Sequence, residues 1–162
     1  MKKLFHLLIF VALAFPAEFH QIEIVNIGPI KDADYKLRCD KLVLHLRLTE
    51  KVFWKHNVGN IDIPKYYSSS MMTVIPSLRR EGTSLSALES MACECPTITT
   101  NIGGLSDLPS IQSNPTPIEL SAKMKYVADN RELIKTNQYE AVTKIYNFDN
   151  WSEAWCKATG LN

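Results

Sequence analysis

The chain has 162 residues, 46% of them hydrophobic, which suits one domain with a substantial core. Its 18 basic and 17 acidic residues leave a net charge of +1, and the basic residues are scattered, so nothing here builds a nucleic-acid surface. The four cysteines (Cys39, Cys93, Cys95, Cys156) form no CxxC pair and the histidines stand at no metal-ligand interval from them; the thiols read as reduced, as in a cytosolic protein.

Met1-Lys2-Lys3 followed by the apolar Leu4 to Ala14 has two readings. One is a secretory signal peptide, with Ala12-Leu13-Ala14 as the cleavage site. The other is a core helix over 3–17, interrupted by His6 and leading into a strand over 21–28 that Gly28-Pro29 stops. Tyr35 to Leu48 reads as an amphipathic helix, with Cys39, Leu42, Val43 and Leu46 at i, i+3, i+4 and i+7. Val52 to Trp54 is a short strand. Ile61 to Ser69 is a short helix with Pro64 in its first turn. Met71 to Ile75 reads as strand, Ser84 to Cys93 as helix and Thr97 to Thr99 as strand. Asn101 to Gly104 is a turn, and Thr116–Asp129, Arg131–Ile145 and Asn150–Lys157 are three closing helices. Strands separated by helices imply right-handed crossovers: an α/β fold with a Rossmann-like parallel sheet flanked by helices.

The stretch from Pro76 to Ala92 carries the chemistry. In an open parallel sheet, ligands bind beyond the carboxyl ends of the strands, where this loop starts. Gly82 lets the backbone approach a ligand closely. The following helix begins near Thr83 or Ser84, either of whose hydroxyls can cap it, and its free N–H groups favour a diphosphate. Glu81 precedes the helix, and Glu89 lies more than one turn inside it, with seven residues between them. A carboxylate at Glu89 can accept from a vicinal diol such as that of ribose. Met71, Met72 and Trp54 read as core, and Cys93 and Cys95 as packing residues. Arg79 and Arg80 read as a solvent-facing loop, with a phosphate contact as the other option.

This Glu pair, together with Glu89-Ser90-Met91-Ala92 and Thr100-Asn101-Ile102-Gly103-Gly104-Leu105, resembles the donor site of family 4 retaining glycosyltransferases, the glycogen-synthase-like group with the two-domain GT-B fold. Tyr66-Tyr67 ahead of Pro76-Ser77, Val25 to Pro29, and Phe148 to Trp155 extend the likeness, although only residues 76–104 are specific. The resemblance implies that the chain is the C-terminal, donor-binding domain of such an enzyme, with the N-terminal acceptor domain and first strand absent. It implies that Glu81 contacts the donor sugar as the catalytic residue. Glu89 would hold the ribose, and the backbone of Gly82, Thr83, Ser84 and Leu85 would meet the phosphates. The donor would be a nucleotide-diphosphate sugar, with no other cofactor and no obligatory metal.

Departures from the family pattern are also visible. Lys2 or Lys3 stands where the family has a phosphate-neutralising Lys, but its Arg partner is missing. Glu94 and Cys95 replace a helix-ending Gly, a conformation that Glu adopts reluctantly. Residues 109–117 read as lacking a strand that the family places there. The expectations are therefore a hexosyltransferase half that works with a separate N-terminal half, or a non-catalytic remnant or protein-interaction module. The least favoured reading is a small secreted protein cleaved after residue 14. A missing strand leaves an open sheet edge or apolar patch, and hence self-association. The expected location is cytoplasmic, or secreted if residues 1–14 are a signal peptide, and a membrane surface stays open as a partner.

Overall fold

The computed structural model describes residues 22–30, 32–79 and 81–160. The proposed helix over 3–17, Lys2, Lys3 and Arg80 lie outside them. The elements run β1 (Ile24–Ile27), α1 (Ala33–His45), β2 (Val52–Lys55), α2 (Ile63–Ser69), β3 (Thr73–Ile75), α3 (Leu85–Ala92) and β4 (Thr97–Thr100). A 3-10 turn (Gly103–Asp107), β5 (Ile111–Ser113), α4 (Pro117–Asp129), α5 (Arg131–Ile145) and α6 (Phe148–Thr159) follow. Every strand pairing is parallel. Among the described residues the strands form two sheets, β1-β2 and β3-β4-β5.

The β1-β2 sheet carries its own small core. Cys39 and Val43 of α1 are buried against Val52, with Ile24, Leu42, Leu46 and Trp54 packed around them. The 3.6-residue period read from the sequence is thus the face that α1 turns to its sheet. Asp32 caps α1 by accepting from the amide of Tyr35 at 2.9 Å.

The second sheet is covered on both faces, as parallel sheets generally are. Val74, Ile98 and Ile111 stand side by side in register. They face a core of Leu120, Met124 and Val127 from α4 and Ile134 from α5. Each such side chain contributes about 1.5–3 kcal/mol on burial. The adjoining row, Ile75, Thr99 and Gln112, faces the other way. On that side Ala87, Met91, Leu105, Leu108 and Val142 form a second core. All four residues of β4 are buried.

β5 corrects the expectation that residues 109–117 lack a strand. Ile111 to Ser113 is short and hemmed by prolines, but it pairs along β4 through Ile98↔Ile111 and Thr100↔Ser113. Tertiary pairing supplies what a three-residue run cannot show by itself. The turn expected at 101–104 becomes the 3-10 helix from Gly103, whose φ is +59°. Buried polar side chains complete backbone pairing. The Gln138 carboxamide accepts from the Thr97 amide at 2.7 Å and donates to the Thr97 carbonyl at 2.9 Å, acting as a strand neighbour at the start of β4.

α3 ends as the departure from the family pattern implied. Glu94 takes φ +56°. The Glu94 amide donates to Met91 O at 3.1 Å and the Cys95 amide to Ser90 O at 3.0 Å, a Schellman end built on a non-glycine residue. The last helix, α6, has no buried residue and exposes Phe148, Trp151 and Trp155 in one row, with Trp151 stacked on Trp155 and Phe148 tilted against Trp151.

Candidate active site

The loop joining β3 to α3 leaves the carboxyl end of β3 and lies against the 3-10 turn that follows β4. Three contacts fix it. Thr100 Oγ1, fully buried, donates to the carbonyl of Ser77 at 2.7 Å. The Gly104 amide donates to the carbonyl of Glu81 at 2.8 Å. Ser77 Oγ, itself buried, donates to Glu81 Oε2. The exposed carboxylate of Glu81 therefore stands on a backbone anchored from two directions.

Gly104 explains its residue type by contact. A Cβ there would lie 2.8 Å from the carbonyl carbon of Gly82 and 3.1 Å from the Thr83 nitrogen. Gly82 has nothing within 4 Å of its own missing Cβ, so its open side is left to solvent or a ligand. Ser84 is the N-cap of α3 with extended backbone, but its hydroxyl makes no cap hydrogen bond. The capping expected of Thr83 or Ser84 is thus not made. The first backbone bonds into the helix come from Ala87 and Leu88, both to Ser84 O. Among the described residues no acceptor takes the amides of Gly82, Thr83, Ser84 or Leu85, so the helix presents orphan donors and its positive dipole end beside Glu81.

Glu89 lies on the exposed face of α3, toward α2, which packs against this helix. Its charge is felt by Tyr67 of α2. Burial first, and the Glu89 carboxylate second, push the Tyr67 phenol up, while a hydrogen bond with Ser86 opposes them. Burial also pushes the Cys93 thiol up, with Cys95 and Glu89 adding to it, which suits a packing residue better than a nucleophile. Cys95 is buried beside Thr73. Arg79 is exposed.

A cleft that sequence reasoning missed opens between the loop Lys55–Gly59 and the flank of α2 bearing Asp62, Lys65, Tyr66 and Ser69. None of residues 81–89 lines it. Like the Glu81 loop, it begins at the carboxyl end of a strand, here β2. His56 Nδ1–H donates to the carbonyl of Gly28 at 3.0 Å, tying the ends of β1 and β2 together. Only the Gly28-Pro29 stop and Gly59 hinted at it in sequence.

Residues 1–141 match the family of glycosyl transferases group 1. The chain belongs to that family. No curated protein matches it. Several solved structures share its fold. HepE from Anabaena, crystallised with UDP-glucose, superposes with a TM-score of 0.81 at 17% identity, covering 95% of this chain and 44% of its own. Sucrose-phosphate synthase from Thermosynechococcus elongatus gives 0.78 at 21%, covering 99% and 43%. The C-terminal domain of a glycosyl transferase group 1 family protein, LpcC from Francisella tularensis, gives 0.75 at 24%, covering 88% and 78%. The chain thus spans less than half the length of HepE and of the synthase, and its α/β architecture is that of the C-terminal domains of GT-B glycosyltransferases. Among the described residues no helix is long and apolar enough to cross a membrane.

Proposed function

We propose that this group 1 glycosyltransferase chain is the donor-binding half of a family 4 retaining enzyme. Its segment from Glu81 to Leu85, with Glu89 of α3, takes a nucleotide-diphosphate sugar. The observation that carries the reading is an uncapped helix N-terminus at the carboxyl end of a parallel sheet, with Glu81 just ahead of it and Glu89 exposed further along the helix. The UDP-glucose bound by HepE supports the ligand class.

In this reading the amides of Gly82 to Leu85 and the helix dipole take the diphosphate charge. Glu89 accepts from the ribose hydroxyls, and Glu81 meets the sugar. Backbone donors meet the charge that grows on the diphosphate as the glycosidic bond breaks, and they meet it already oriented. The sugar leaves with its anomeric configuration retained, and no metal is obligatory. Transfer needs an acceptor and a closed cleft, which a second α/β half supplies, joined or separate.

The test is calorimetric titration of the chain and of Glu89→Gln with UDP, ADP and GDP. Loss of a charged acceptor costs about 1.5–3 kcal/mol, or roughly 10- to 100-fold in Kd. Equal affinity in the two proteins removes Glu89 from the ribose.

A further inference from the structure

We infer that Ser77 is a positioning residue that sets the preference for a sugar-bearing nucleotide over the bare nucleotide, acting through Glu81. The inference rests on the donor-site reading above but concerns a residue that reading does not use.

Glu81 is exposed and carries a flexible side chain, which by itself samples several rotamers and would have to give up that freedom on meeting a ligand. Ser77 removes the freedom beforehand. Its hydroxyl donates to Oε2 of Glu81, which leaves Oε1 to accept from incoming hydroxyl groups. Ser77 can do this because its own position is determined. It is 5% exposed, and its carbonyl accepts from Thr100 Oγ1 at 2.7 Å, on the strand where all four residues are buried. The Glu81 backbone is fixed separately by Gly104 at 2.8 Å. A charge-assisted hydrogen bond from a buried hydroxyl to an exposed carboxylate adds little to the core. Its effect is to preorganise one acceptor. The amides of Gly82 to Leu85 follow Glu81 in the chain, and the backbone ahead of them is held by the Thr100 and Gly104 bonds, which Ser77→Ala leaves in place. A nucleoside diphosphate without sugar should therefore be indifferent to it.

The experiment compares wild type, Ser77→Ala, Ser77→Thr, Glu81→Ala and Ser77→Ala/Glu81→Ala. Each is titrated with UDP, ADP and GDP and with UDP-glucose, ADP-glucose and GDP-mannose, alongside thermal melts. Wild type should bind one sugar nucleotide more tightly than its parent. Ser77→Ala should lose about 3- to 10-fold of that preference with the parent's Kd unchanged. Ser77→Thr, which keeps the hydroxyl, should retain it. In the Glu81→Ala background, Ser77→Ala should change nothing further. The inference is overturned if Ser77→Ala weakens sugar nucleotide and parent equally, if its effect persists without Glu81, or if wild type binds a parent nucleotide with no preference for its sugar form. Wild type that binds none of the six removes the donor-site reading itself, and this inference with it.

Discussion

Gly104 and Gly82 meet backbone to backbone: a Cβ on Gly104 would sit 2.8 Å from the carbonyl carbon of Gly82, closer than real Cβ atoms come. The 3-10 turn after β4 therefore sets the height of the loop between β3 and α3. Gly104→Ala should push that loop outward and weaken nucleotide binding by about 10-fold or more, a loss of roughly 1.4 kcal/mol. The clash is with backbone, and Leu105 of the second core follows at once, so the melting temperature should fall as well. Titration beside a thermal melt checks this; unchanged affinity would show that the loop adjusts freely.

A second prediction concerns Glu94. It holds φ +56° at the end of α3, where glycine is the unstrained choice. Among the described residues its carboxylate pairs with Lys135 at 3.4 Å, a partly exposed contact that adds little. Glu94→Gly should stabilise the chain by about 0.5–1 kcal/mol, raising the melting temperature by roughly 2 °C. A lower melting temperature would show that the ion pair outweighs the strain.

Gln138 is the opposite case. Its carboxamide bonds both backbone groups of Thr97 in a fully buried setting, and Gln138→Leu removes both bonds. The expected cost is about 2–4 kcal/mol, read as a fall in the denaturant midpoint without a change of slope. A loss below about 0.5 kcal/mol would mean that the strand end finds another partner.

Most of the element order was legible in the sequence because the cues were local. Cys39, Leu42, Val43 and Leu46 mark a helix by spacing alone, and all four join one core. The proline in the first turn of α2 and Thr116 ahead of α4 mark helix starts, whereas α6 reads from Asn150 in the sequence, past its cap Asn147. β5 was not legible, because Ile111 is its one apolar residue and its stability comes from β4, distant in sequence. The division of the strands into two sheets was likewise invisible. For the site, the residue types were legible and the tethers were not. The Ser77 to Glu81 bond depends on how the loop folds back, and the Gly104 to Gly82 contact joins residues over twenty positions apart.

The charge on Glu89 has a reporter in Tyr67. Because the folded phenol is raised above its ordinary value of about 10, the folded state keeps that proton longer than the unfolded chain. The stability this contributes is present below about pH 10 and lost as pH rises through the folded value. Burial is the larger cause and Glu89 the second. Glu89→Gln should therefore lower the phenol's titration midpoint without bringing it to the ordinary value. An ultraviolet titration, with Tyr67→Phe as the reference, reads it. A midpoint unmoved by Glu89→Gln would place the carboxylate too far away to matter.

The central claim is that a nucleoside diphosphate is held by the backbone from Gly82 to Leu85. The most direct measurement is an amide-resolved NMR titration of the chain with UDP, ADP and GDP. At least one of them should shift the amides of Gly82, Thr83, Ser84 and Leu85 first and furthest, with saturation. Binding that shifts other amides and leaves these four in place, or no binding by any of the three, contradicts it.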